Sequence, residues 1–141
     1  MVEIFGEEVS LEKLIHFKFF AKLNNNMNWK NNFKEGKEIV LATASNKGIP
    51  NANIVISLGF VDDQLLVANC QMNNTIKNLR ENKRICLIGG YYRIEGNVKM
   101  FSSGKYFDIC VLKSKGYTVK DAILISIEKV FDLNKGCVEM I

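Results

Sequence analysis

The run Asn69-Cys70-Gln71-Met72-Asn73-Asn74-Thr75-Ile76-Lys77-Asn78-Leu79 holds the densest set of ligand-binding side chains in the sequence. It reads as the end of an apolar strand entering a helix. The first N–H groups of a helix lack partners within it, and its dipole favours negative charge there. Such a start, with a Thr hydroxyl, side-chain amides at Asn69, Gln71 and Asn74, and a cation at Lys77, is what a phosphate needs. The same residues also fit an Asn-capped surface helix with solvated Lys77, Arg80, Lys83 and Arg84. A second surface is the face made by Asn51, Asn53, Val55 and Ser57. A planar heteroaromatic ring lying against it meets amide side chains and edge backbone groups for its carbonyls and nitrogens. A solvent-facing strand of a one-sided sheet produces the same pattern.

Other residues that invite chemistry read more simply. Cys70, Cys86, Cys110 and Cys137 include no close pair, and His16 is the one imidazole, so no metal site is expected. The thiols read as small buried apolar groups of a reducing compartment. Asp62-Asp63 marks a turn, Ser102-Ser103 a helix cap, and His16 and Trp29 packing positions.

The elements that must position these residues fit one domain, 1 to 141, since 141 residues is a single domain's length. With 48% hydrophobic and 24% charged residues the chain is expected to fold rather than stay disordered. No apolar run reaches the length of a membrane span and the first residues are acidic, so a cytoplasmic protein without membrane association is expected. Residues 71 to 141 carry 12 basic and 7 acidic groups, an excess that favours an anionic ligand, a nucleotide phosphate or nucleic acid.

In the N-terminal segment, 1 to 36, Leu11, Leu14, Ile15, Phe19 and Leu23 recur at spacings of three and four, which predicts a helix near 10 to 23. Residues 24 to 36, closed by Gly36, lean to a second helix. From Glu38 the period becomes two, opening a core that spans 37 to 141. Ala52, Ile54, Ile56, Leu58 and Phe60 form an apolar face opposite Asn51, Asn53, Val55 and Ser57. Strands are expected over 38 to 45, 52 to 60, 64 to 69, 84 to 89, 92 to 100 and 122 to 131, with turns at 46 to 48, 62 to 63 and 89 to 90. Two helices interrupt them. One runs from Asn73-Asn74 to about Asn82 and buries Ile76 and Leu79; the other follows Ser102-Ser103, buries Phe107, Cys110 and Val111, and stops at Gly116. The fold class is mainly β with helices, a six-stranded antiparallel split barrel with an N-terminal helix and two inserted helices, because closure removes exposed edges.

The order of Gly48-Ile49-Pro50-Asn51, then Thr75-Ile76-Lys77-Asn78-Leu79-Arg80-Glu81-Asn82, then Tyr92-Arg93-Ile94-Glu95-Gly96 resembles the pyridoxamine 5′-phosphate oxidase-like family of FMN-binding split barrels. The resemblance covers about residues 38 to 133. It implies FMN as cofactor and a homodimer with flavin at the subunit interface. It further implies phosphate at the Thr75 loop, ring contacts from Asn51 and from Asn53 through Val55 to Ser57, and Asn69, Cys70, Gln71 and Met72 along the ribityl chain. Two positions depart from the family: Asn74 stands where Lys is frequent and Asn53 where Arg is common. That leaves Lys77, Lys47 or Arg93 as cations. The family's vitamin B6 substrate set is not found in the sequence. The reading is a flavin oxidoreductase or electron-transfer protein serving a small-molecule donor or acceptor. A deazaflavin in the same fold, or a nucleic-acid-binding barrel, are the alternatives.

Overall fold

The computed structural model describes residues 2–4, 7–12 and 29–141, in two units, Met1–Asn31 and Asn32–Ile141. In the first unit, β1 (Val2–Ile4) pairs antiparallel with β2 (Glu7–Val9), a hairpin that the sequence pattern did not announce. Of the helix expected over 10 to 23, residues 11 and 12 are helical and residue 10 is not; residues 13 to 23, with His16, lie outside the described residues. Of the second helix, residues 29 and 30 are helical, whereas 31 to 36 are turns ending on Gly36 at φ 90°.

The second unit is an antiparallel sheet with two helices. Its elements are β3 (Glu38–Ala44), β4 (Pro50–Ile56), β5 (Phe60–Val61), β6 (Gln64–Asn69), α1 (Asn74–Glu81), β7 (Arg84–Gly89), β8 (Tyr92–Phe101), α2 (Lys105–Lys113), β9 (Asp121–Asp132) and β10 (Val138–Glu139). The sheet order is β4-β3-β7-β8-β9-β6-β5, with β10 also on β9. The segment expected as one strand over 52 to 60 is two, because Gly59 sits at φ 89°, which extended backbone does not adopt. The Asp62-Asp63 turn has both residues at positive φ, 52° and 61°, the mark of a two-residue hairpin. In the next hairpin Gly89 still pairs, opposite Tyr92, so the connecting residues are Gly90 and Tyr91.

Chain connectivity forces this sheet to curl. Laid flat, the strands β4 and β5 at its two edges would stand roughly 29 Å apart at the usual strand spacing. Ser57, Leu58 and Gly59 alone join them, and they span at most about 14 Å. The edges therefore meet: Leu58 N donates to Leu66 O at 2.9 Å and Leu66 N to Gly59 O at 3.0 Å. Beyond that junction β4 and β6 diverge, and the barrel is split.

Two apolar layers result. Inside the curl lie Ile39 and Leu41, Leu65 and Val67, Leu87, Ile94, and Ile123 with Ile125. On the opposite face of β6 and β9, Leu66, Ala122 and Leu124 pack with Cys110 of α2 and Val119. The strand β9 is thus buried on both faces over 122 to 125, which is why its sequence shows an unbroken apolar run. In α2, Val111 is 51% exposed, contrary to expectation; Cys110 and the partly buried Phe107 and Ile109 face the sheet instead. Between β8 and β9 the register slips at Glu95/Gly96. Gly96 is required there, since a Cβ would stand 2.1 Å from Ser126 O.

The faces of β4 are the reverse of those a core-seeking apolar stripe predicts. In an antiparallel pair, residues directly opposite share a face, and Asn51, Asn53 and Val55 stand opposite Thr43, Leu41 and Ile39. The amide face consequently turns inward. Ile54 is 72% exposed and Ile56 49% exposed.

Candidate functional site

The split between β4 and β6 is a window with its apex at Leu58 and Leu66. One side is β4 from Ile56 back to Asn51; the other is β6 running up to Cys70. The chain then turns through Gln71 and Met72 into α1, which returns to β4. That turn is fixed by Asn69, whose Oδ1 accepts from Met72 N at 2.9 Å while its Nδ2 donates to Asp121 Oδ2 at 2.9 Å.

The top of the window is closed by side chains. Asn51 Nδ2 donates to Thr75 Oγ1 at 3.0 Å, and Asn53 Nδ2 donates to the same oxygen. Within the window lies a cavity of about 720 Å³, covered on one side by the turn that ends α2. Its volume falls in the range of small-molecule sites, roughly 300 to 1,000 Å³. The backbone of β4 has no strand partner on the window side among the described residues, so its edge N–H and C=O groups are available to a ligand.

Of the residues singled out in the sequence, Asn51, Asn53, Val55, Cys70, Gln71, Met72 and Asn74 line this cavity. Ser57, Asn69, Thr75 and Lys77 do not. Ser57 is buried, donating to Phe33 O at 2.5 Å and accepting from Gly59 N at 3.0 Å, and so braces the junction below the window. Thr75 is fully buried behind the two asparagines, and Lys77 projects from the outer side of α1. The substitute cations are also elsewhere. Lys47 lies in the β3–β4 turn, and the Arg93 guanidinium stacks 4.5 Å over the Phe131 ring, with Nη2 3.4 Å from Cys137 Sγ.

Sequence reasoning missed the covering wall, Lys113, Ser114, Lys115 and Tyr117, together with Ile54, Ile56, Leu58, Ala68 and Asn73. The only signal for the wall was the cluster Lys113-Ser114-Lys115-Gly116-Tyr117, read as a helix end. Lys113 anchors it, with Nζ donating to Leu58 O at 2.9 Å and lying 3.5 Å from Glu35.

Electrostatically the cavity favours anions. Among the described residues no carboxylate lines it, and two lysines do. Asn73, at the N-cap of α1, makes no side-chain cap bond, and the first turn holds no acidic residue, so the helix start opens on the cavity with its N–H groups available. The Cys70 thiol is pushed up by burial. Burial also pushes Cys110, beneath it, up to about 11, with the charge of Cys70 adding to the effect. All four cysteines are free, and no metal-holding cluster occurs among the described residues.

The family model for pyridoxamine 5′-phosphate oxidase matches residues 29–134. The uncharacterized protein MJ0282 of Methanocaldococcus jannaschii is 27% identical over 114 residues, covering 72% of this chain and 76% of its own. Among solved structures, HupZ of Group A Streptococcus superposes with a TM-score of 0.64 at 20% identity, over 72% of this chain and 88% of its own. An FMN-binding protein from Syntrophomonas wolfei subsp. wolfei gives a TM-score of 0.64 at 13% identity, over 86% and 95%. At these identities the superpositions establish the fold alone, an antiparallel split barrel. With that fold and a match over most of its length, the chain belongs to the pyridoxamine 5′-phosphate oxidase-like family of FMN-binding split barrels.

Proposed function

We propose that this chain binds FMN in the window between β4, the β6–α1 turn and the end of α2, and passes electrons between a small-molecule donor and acceptor. The open start of α1 carries this reading: its cap is unmade, and Asn73 and Asn74 line the cavity. In this arrangement the backbone N–H groups of Asn73 and Asn74 hold the phosphate. Cys70, Gln71 and Met72 flank the ribityl chain, and Asn51, Asn53, Val55 and the free edge of β4 border the ring. Thr75 acts from behind, holding the two asparagine amides in place, and Asn69 shapes the turn. The bound flavin supplies the electron chemistry; the chain positions the ring, sets the charge around it and excludes water.

The working assembly in this reading is a homodimer. Ile54 stands opposite Val40, and Val40 opposite Ile88, forming an apolar row across three strands on the outer sheet face. Ile54 and Ile56 also border the cavity, so a second copy seated on this row closes the flavin site. Free thiols suit a reducing compartment, and the cytoplasm is the proposed setting. No described helix is long and apolar enough to cross a membrane.

Titrating the purified protein with FMN is expected to quench flavin fluorescence with a Kd at or below about 1 μM, equivalent to roughly −8 kcal/mol. Riboflavin, lacking phosphate, is expected to bind more weakly. Absence of quenching at tens of micromolar refutes the reading. Tighter binding of a deazaflavin than of FMN moves the assignment to that cofactor.

A further inference from the structure

The two cations lining the cavity are not equivalent. Lys113 is committed: its ammonium bonds Leu58 O and faces the Glu35 carboxylate at 3.5 Å. Lys115, two residues beyond the end of α2, lines the same cavity and has no hydrogen-bond or ion-pair partner among the described residues. On the opposite wall Asp121 accepts from Asn69 and does not itself line the cavity. An uncompensated cation beside a partly enclosed space raises the potential throughout that space, and low-dielectric walls extend its reach.

From this arrangement we infer that Lys115 sets the redox poise of the flavin by favouring its reduced, anionic form. The inference rests on the FMN reading above. It follows from which charges change. The phosphate carries the same charge in both redox states, so the open start of α1 holds oxidised and reduced FMN alike. Two electrons and one proton added to the neutral ring leave it with one negative charge. A cation on the wall formed by the end of α2, apart from the helix start proposed to hold the phosphate, therefore discriminates between the states, and charge near the ring is a principal means by which a protein tunes a flavin. Because Lys115 is exposed and has no bonding partner among the described residues, its replacement changes this charge without removing a contact described there.

The test is spectroelectrochemical titration of the FMN-loaded protein, with electrons from an electrode through mediator dyes and the proton from buffer. Wild type, Lys115→Gln and Lys115→Arg are compared, and each is also titrated with oxidised FMN and riboflavin by fluorescence. Lys115→Gln is expected to lower the midpoint by about 30 mV or more. That equals a tenfold loss of preference for reduced over oxidised flavin. Lys115→Arg is expected to keep the wild-type value, and the FMN-to-riboflavin affinity ratio to be the same in all three proteins. An unchanged midpoint in Lys115→Gln overturns the inference. So does a loss confined to FMN over riboflavin, which makes Lys115 a phosphate ligand. Failure of wild type to take up FMN refutes the underlying reading as well, and registers in the fluorescence titration before any potential is measured.

Discussion

Asn51 donates its side-chain amide to Thr75 Oγ1 at 3.0 Å and so ties the free edge of β4 to the first turn of α1. Asn53 reaches the same oxygen, and a hydroxyl has two lone pairs, both now used. One turn further along, Asn78 donates to Thr43 Oγ1 at 3.1 Å, and Asn82 donates to Ala44 O at 3.3 Å. Thr75, Asn78 and Asn82 stand at spacings of three and four, which places them on one helix face. The stripe that marks the family in the sequence is therefore a polar seam pinning α1 against β3 and β4. The cavity inherits its rim from that seam.

Thr75→Val is accordingly expected to act on the whole window. The substitution keeps the shape but leaves two partly buried amides without an acceptor, at about 1–3 kcal/mol each where no water replaces it. Chemical denaturation is expected to show a loss of about 2 kcal/mol. FMN and riboflavin affinities are expected to fall by the same factor. A loss confined to FMN, with stability intact, shows instead that the hydroxyl touches phosphate.

The six long strands, the two helices and the turns were legible because their apolar periods and Gly, Asn and Asp punctuation are local signals. The orientation of β4 was not. Its alternation is clear, yet period two does not say which face is inside, and Ile54 and Ile56 go outward because register with Ile39 and Leu41 turns the amides in. Likewise the amide half of the cavity could be read from 51 to 55 and 70 to 74. Lys113 to Tyr117 enter it only through the packing of α2 over β6, a contact between segments some forty residues apart in the sequence.

Ile54 and Ile88 give the dimer a direct test. Both are exposed in the single chain, at 72% and 37%, and lie on one row of the outer face. A paired Ile54→Glu, Ile88→Glu variant is expected to keep the fold, since surface changes usually cost under about 0.5 kcal/mol. Light scattering is expected to give two chains for wild type and one for the variant, with FMN affinity lowered at least tenfold. A single-chain mass for FMN-loaded wild type contradicts the dimer.

The thiols report on the cavity from another direction. The thiolate is the reactive form, so a group pushed up to about 11 by burial holds on the order of a thousandth of its population as thiolate at pH 8. Exposed Cys137 is expected to react first with an aromatic disulfide reagent. Cys70 and Cys86, both raised by burial, follow more slowly, and Cys110 reacts only on unfolding. Bound FMN is expected to slow Cys70 alone, because Cys70 lines the cavity. Equal protection of Cys70 and Cys137, measured by peptide mass after timed labelling, points to a flavin site elsewhere.

The basic excess of residues 71–141 offers the test against nucleic acid. Much of it is already answered within the fold. Arg84 pairs with Glu128 at 2.7 Å, Lys105 with Asp62 at 2.7 Å, and Lys129 with Glu139 at 3.5 Å, while Arg93 stacks on Phe131. A strand-binding surface needs a continuous track of free cations, and its affinity falls with salt at a slope of about −0.7 per phosphate neutralised. A phosphate held by amides in a partly enclosed cavity is screened far less. FMN is therefore expected to remain bound at 0.5 M salt, and a single-stranded oligonucleotide to show negligible binding at 50 mM. Tight, salt-sensitive oligonucleotide binding by a protein that ignores added flavin reverses the assignment.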